Sequence, residues 1–282
     1  MSSSSKREFD AILLDLDGTL LDAESQIRPR NIEALRAAEA SGVRVMVATG
    51  RSRIATRPVL DSLGLDGSAV VFNGAGLYCP QTDQMLEERT LSNRTVERLL
   101  ALGQELDLLT LVMLANRKLS SVPRTEHERE ALAGLQLVEN VGRDELRQDY
   151  TMRISFLGEH EAGSEDLVHR VEAFVGQPMY LTHFPLAMLP SQRGSTMQVV
   201  DAHAPCRGKA EALRVLYDSA GILPERVVAV GDASNDVPML QAAGLGVAMA
   251  NSTPSATDAA DRVIGDHDSD AIADLIGELF LG

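Results

Sequence analysis

The chain has 282 residues, 44% hydrophobic and 24% charged, enough for a sizeable core in one large domain with an insertion or in two domains. A formal net charge of −15 argues against a nucleic-acid footprint, and the RSR run at Arg51 to Arg53 is too short to supply one. An anionic ligand would need positive potential supplied locally, by a metal or a few placed cations.

Taken in chain order, FDAILLDL reads as a buried strand and RPRNIEALRAAEASG as a helix, with Ile32, Leu35 and Ala38 at helical spacing, Pro29 near its start and Gly42 at its stop. VRVMVATG is a second buried strand, SRIATRPVLDSLGL a second helix and SAVVFNGAG a third strand. Strand–helix–strand units with fully apolar strands indicate a parallel sheet covered on both faces. The middle of the chain differs. There LSNRTVERLLALGQEL and GSEDLVHRVEAFVG read as helices, and LLTLVML, TMRISFLG and PMYLTH as strands more polar on one side. The first grammar then returns: TMQVVDA as a strand, KAEALRVLYDSAG as a helix, ERVVAVGD as a strand, VPMLQAAG as a short helix, LGVAMA and DRVIG as short strands, and SDAIADLIGELFL as a last helix. The fold class expected is therefore α/β: a Rossmann-like, three-layer core with a parallel sheet, interrupted by an inserted α+β domain. The boundaries fall at 1–81 and 194–282 for the core and 82–193 for the insert.

Cys79 and Cys206 form no CxxC or zinc spacing, and free thiols in a reducing cytoplasm are expected. MSSSSKREFD has no apolar core of signal-peptide type, and no later segment reaches membrane-spanning length without charges or breakers. The expectation is a soluble, cytoplasmic protein with no membrane or nucleic-acid partner, its serine run a disordered tail. Oligomeric state is not legible.

In a parallel α/β sheet, function gathers at the carboxyl ends of the strands. Those ends here read DLDGTL from Asp15, ATGR around Thr49 and GDASND from Gly231, with RGKAEAL and its Lys209 at a helix start. Two carboxylates one residue apart, with Asp232 and Asp236 at another strand end, make a hard-oxygen site suited to Mg²⁺, which would neutralise acids that otherwise repel. One carboxylate can then act as nucleophile and another as general acid and base. Gly18 permits a tight turn that Thr19 can help hold, and Thr49, Gly50 and Lys209 offer a hydroxyl, a backbone N–H and an ammonium to an anion. Cys206 lacks a histidine arrangement that would make it a nucleophile, and NGAG at Asn73 has the wrong spacing for a dinucleotide fingerprint and reads as a turn. His183 and His203 flank the join between insert and core, where contact with substrate is conceivable.

DxDGT, ATGR, a lysine 23 residues before the first aspartate of GDxxND, and the late GVAMANS occur in one order over the whole chain. In that order they resemble the haloacid dehalogenase (HAD) superfamily, in particular its Cof-type (IIB) metal-dependent phosphatases. The resemblance implies a C2B-type cap as the insert, closing over the core and carrying most of the specificity. It implies Asp15 as the nucleophile that takes the phosphoryl group and Asp17 as the acid and base. Mg²⁺ would be held by the Asp15 and Asp232 carboxylates and the Asp17 backbone carbonyl. Thr49, Gly50, Lys209 and Asn235 would bind the phosphate, Asp236 would orient Lys209 or a metal-bound water, and Arg51 is a possible substrate contact. Arg207 offers a rival alignment for Lys209, whose helix phase suits the pattern better. Ala210, Ala250 and Thr257 depart from residues common in the family. The function expected is Mg²⁺-dependent hydrolysis of a small soluble phosphomonoester through an aspartyl-phosphate. A phosphomutase with the same nucleophile and a non-catalytic phosphate-binding regulator are the alternatives.

Overall fold

The computed structural model describes residues 7–65, 67–135, 137–159, 163–188 and 192–282; the serine run lies outside them. The chain begins β1 (Ala11–Leu14), α1 (Pro29–Ala40), β2 (Arg44–Ala48), α2 (Arg53–Leu63), β3 (Ala69–Val71), β4 (Gly76–Cys79) and β5 (Gln84–Glu88). It continues through α3 (Asn93–Glu105), β6 (Leu109–Met113), β7 (Lys118–Ser121), α4 (Glu126–Ala133), β8 (Val138–Val141), β9 (Arg153–Glu159), α5 (Gly163–Val175), β10 (Tyr180–Pro185) and β11 (Met197–His203). It closes with α6 (Glu211–Ala220), β12 (Val227–Gly231), α7 (Val237–Ala242), β13 (Leu245–Ala248), α8 (Pro254–Ala259), β14 (Arg262–Val263) and α9 (Ala271–Ile276). These elements form two compact units, 1–86 with 207–282, and 87–206.

The first unit is built on an eight-stranded sheet in the order β14-β13-β12-β1-β2-β3-β4-β5. From β14 to β3 every neighbour is parallel, and β4 turns back antiparallel to β3. Every residue of β1 is buried, because helices cover both faces. Ala11 and Leu13 join Met46, Ala48, Val227 and Ala229 in a core with Leu213 and Leu216 of α6 and Met239 and Leu240 of α7. Ile12 and Leu14 point the other way and are equally buried, on the face where α1 packs on α9 and β2. Each such aliphatic side chain contributes about 1.5–3 kcal/mol on leaving water. This is why an uninterrupted apolar run, not an alternating one, specifies a central strand. The chain order reverses at β1, whose neighbours are β2 and β12, so the crevice beyond its carboxyl end is a topological switch point.

The second unit is a six-stranded sheet in the order β10-β11-β9-β6-β7-β8, antiparallel except for β7 with β8. Val96, Leu99 and Leu102 of α3 and Leu167, Val171 and Val175 of α5 pack against Val112, Leu119, Ile154, Phe156 and Val200 on one face. Ser92 caps α3 by accepting from the Thr95 N–H at 3.1 Å, and Thr125 and Glu128 form a reciprocal capping box on α4.

The structure differs from the sequence reading in several places: α4, α8, β4 and β5 are not among the elements read from the sequence, and 82–86, placed in the insert, lies in the first unit. TMQVVDA, expected as a core strand, is β11, whose register runs from Met197 opposite Glu159 to His203 opposite Arg153 in the second sheet. Segment 194–206 therefore belongs to the second unit. Its buried Asp201 finds Arg153 of β9 at 3.4 Å, a partner a strand read in isolation does not reveal. KLSS and VENV, too short and polar to signal strands, are held as β7 and β8 by pairing along the sheet.

Candidate active site

β1, β2 and β12 end side by side, and the residues that follow them carry the polar groups. Leu14 is level with Val47 on one side and Val230 on the other, and the Asp15 N–H donates to the Val230 carbonyl at 3.0 Å. Asp15 therefore lies one residue past the strand, 3% exposed. Asp232 follows β12 directly, and Thr49 follows β2, fully buried, its N–H donating to Val70 O.

Lys209 is the hub. Its Nζ lies 2.7 Å from Asp15 Oδ1 and 2.7 Å from Asp236 Oδ1, and the side chain is almost completely buried. Burial favours the uncharged amine, but the two carboxylates outweigh it and the pKa is raised, so the ammonium persists. The other oxygen of Asp236 accepts from the N–H groups of Asp232 and Ala233, at 3.0 and 2.9 Å. That carboxylate thus fixes both the lysine and the turn bearing Asp232. Arg207, the rival for this place, is exposed, with its N–H on Glu211.

Asp17 faces differently. Arg51 holds its carboxylate in a two-bond fork, Nε to Oδ2 at 2.8 Å and Nη2 to Oδ1 at 2.5 Å. The Arg51 N–H donates in turn to Thr49 Oγ1 at 3.1 Å, tying the ATGR turn together. Directly after Asp17, Gly18 has φ +76°, and a β-carbon there would stand 2.3 Å from Asp232 Oδ2. Only glycine allows the loop to lie against that carboxylate, whose Oδ1 accepts from Thr19 Oγ1 at 3.1 Å.

Asp15, Asp232 and Asp236 each bring an oxygen within 4.8 Å of the others. Burial first, then like charge, raises the carboxyl pKa of Asp15 well above the usual range and pushes that of Asp232 up to about 7. With Asp17, four carboxylates face two cations, an excess equal to the charge of one divalent ion. All the donors are hard oxygens, so the residues fit Mg²⁺. Asp236 spends one oxygen on Lys209 and the other on two backbone N–H groups.

Asn235, expected beside the phosphate, donates to Asn73 Oδ1 at 3.1 Å. From the sequence Asn73 reads only as part of a turn that the family resemblance sets near the pocket, and no role falls to Asn251, whose Nδ2 donates to Gly18 O at 2.8 Å, or to Thr253, whose N–H donates to Asp232 O at 2.8 Å. The late GVAMANS was the available signal for Asn251. The two histidines weighed from sequence belong to the second unit. His183 is exposed and bonds Ser164 at 3.0 Å. His203 is fully buried, and burial together with the nearby Arg153 holds its pKa well below 6.5. Unfolded, the same histidine takes up a proton below about 6.5, so its contribution to stability is present above that pH and lost as pH falls. As pH falls below about 6.5, stability to urea should decrease by up to about 1.4 kcal/mol per pH unit from this group, and His203→Gln should flatten that slope. Equal slopes in the two proteins would show that His203 titrates alike folded and unfolded.

Comparison with known proteins identifies the family. The sequence model of the haloacid dehalogenase-like hydrolases matches residues 12–276. The pyridoxal phosphate phosphatase YbhA of Escherichia coli (strain K12) is 30% identical over 282 residues, with 94% of this chain and 96% of that protein covered. A solved haloacid dehalogenase-like hydrolase from Bacteroides thetaiotaomicron is 25% identical, with 96% of this chain and 100% of that one covered and a TM-score of 0.77. A subclass IIB sugar phosphatase of the superfamily, 21% identical with 95% and 98% coverage, shares the fold at a TM-score of 0.80. No helix among the described residues is long and apolar enough to cross a membrane. The chain belongs to the haloacid dehalogenase-like hydrolase family and is an enzyme of its phosphatase branch.

Proposed function

We propose that the enzyme hydrolyses a small soluble phosphomonoester of the cytoplasm, with Mg²⁺, through an aspartyl-phosphate on Asp15. The observation that carries this reading is the buried Asp15 carboxylate, 2.7 Å from the Lys209 ammonium and beside Asp232. Mg²⁺ would be held by the Asp15 and Asp232 carboxylates and the Asp17 backbone carbonyl, and would supply positive charge to the phosphoryl oxygens. Thr49, Gly50, Lys209 and Asn235 hold the phosphate, and Arg51 has N–H groups beyond the two spent on Asp17 for a further anionic oxygen.

In the first step an Asp15 oxygen attacks phosphorus and the ester P–O bond breaks. The departing alkoxide takes a proton from the Asp17 carboxyl group. In the second, the Asp17 carboxylate removes a proton from water, whose oxygen attacks the same phosphorus. The Asp15–phosphorus bond breaks, inorganic phosphate leaves and the Asp15 carboxylate is restored.

Substrate discrimination is assigned to the inserted unit, which carries none of these groups. Pyridoxal phosphate, the substrate in the name of the Escherichia coli relative, heads a panel with hexose phosphates, flavin mononucleotide and phosphoglycerates. Release of inorganic phosphate with Mg²⁺ tests the reading, with chelator and Ca²⁺ as controls. Release is expected with Mg²⁺ alone, because the larger and looser Ca²⁺ shell holds an attacking carboxylate poorly for in-line transfer. Phosphate moved within the substrate but never released would indicate a mutase. Binding of phosphate esters without turnover of any would indicate a regulatory protein.

A further inference from the structure

The segment 72–74 is the least relaxed backbone near the site. Beyond β3 the chain enters the left-handed region three times in succession, at Phe72 (φ 51°), Asn73 (φ 49°) and Gly74 (φ 93°). Phenylalanine seldom adopts this conformation, and asparagine tolerates it better than most residues. Such a run persists only where surrounding contacts over-determine it. Here several of the contacts lead to elements assigned to phosphate binding. The N–H groups of Phe72 and Asn73 donate to the carbonyls of Arg51 and Thr49, at 2.9 and 3.0 Å. The Asn73 amide accepts from Asn235 Nδ2 at 3.1 Å, and it lies so close to Gly50 that a β-carbon there would stand 3.1 Å from Asn73 Oδ1. At Gly74 a β-carbon would meet the Gly208 carbonyl oxygen at 2.3 Å, so two glycine backbones touch one residue before Lys209.

Three residues thus touch the ATGR turn, the lysine turn and the Asn235 turn, which are far apart in sequence. We propose that Asn73 is a positioning residue for phosphoryl transfer. Its amide sets the orientation of Asn235, and its left-handed backbone spaces the Thr49–Arg51 turn from the lysine turn. This rests on the reading of Thr49, Lys209 and Asn235 as phosphate ligands.

The test is a double-mutant cycle. Asn73→Gly keeps a residue at ease with φ 49° and removes only the amide, so the fold should survive with a Tm close to that of the parent. Asn235→Ala removes the group that Asn73 is said to orient. Each single variant should lose about 10- to 100-fold in kcat/KM and bind inorganic phosphate, used as inhibitor, more weakly. The double variant should be no worse than the poorer single one, because both remove one interaction. Multiplied losses in the double variant, or full activity of Asn73→Gly beside a damaged Asn235→Ala, would overturn the role of Asn73. Loss of the fold in Asn73→Gly would overturn it too, by showing that the amide serves stability. A fully active Asn235→Ala would instead remove the underlying reading of Asn235.

Discussion

Asp15→Asn should release no phosphate from any ester and form no phosphoenzyme, while remaining folded. An amide oxygen is not a usable nucleophile at phosphorus, and a neutral group is a poor ligand for a divalent cation. Residual turnover should fall below about 10⁻⁴ of the parent, since loss of a nucleophile leaves only what the binding groups achieve. The fold should be spared because the charge at Asp15 is costly where it sits. Burial and the neighbouring acids raise its pKa, so a neutral isostere relieves repulsion in the metal-free protein. Lys209 loses one partner but keeps Asp236 at 2.7 Å, so no buried cation is left alone. Phosphate release, acid-quench labelling and Tm with and without Mg²⁺ decide the matter. A variant that turns over near the parental rate would remove Asp15 from the centre of the mechanism, and one that has unfolded would overturn the electrostatic account of Asp15.

The strand-end half of this arrangement was legible because each polar motif follows an apolar run. A strand buried on both faces has no room for carboxylates, so Asp15, Thr49 and Asp232 announce where their strands stop. That these strands are neighbours follows from right-handed strand–helix–strand winding and the switch it creates at β1. Lys209 Nζ lies 2.7 Å from Asp236 Oδ1, a contact between turns 27 residues apart in sequence. What remained hidden depends on geometry between distant segments. Nothing in the sequence pairs Arg51 with Asp17, 34 residues away, or Asn73 with Asn235, 162 residues away. The allegiance of β11 failed for the same reason. Its alternation suits either sheet, and only its antiparallel partners β9 and β10 decide. A turn such as NGAG signals left-handed asparagine and glycine readily, but not that the preceding phenylalanine joins them.

Asp17→Asn separates the two acids, because it leaves the nucleophile and the backbone carbonyl at position 17 in place. Phosphate and Mg²⁺ should still bind. Proton transfer is what disappears, an effect of about 10²–10⁴-fold on turnover of an alkyl phosphate. The two half-reactions should suffer unequally. A p-nitrophenolate leaving group needs little protonation, so phosphorylation of Asp15 by its phosphate ester should stay comparatively fast. Water still lacks its base, so the second half-reaction should be slow for every substrate. The expected trace is a burst of one nitrophenolate per enzyme followed by a slow steady rate, with label accumulating on Asp15. One further consequence concerns Arg51, whose fork spans both oxygens of Asp17. Asparagine offers it one acceptor and no charge, so the guanidinium becomes freer for an anionic substrate, and KM for a phosphate ester should fall while kcat falls further. A steady state without a burst, a label on another residue, or a kcat equal to that of the parent would each remove Asp17 as the acid and base of this enzyme.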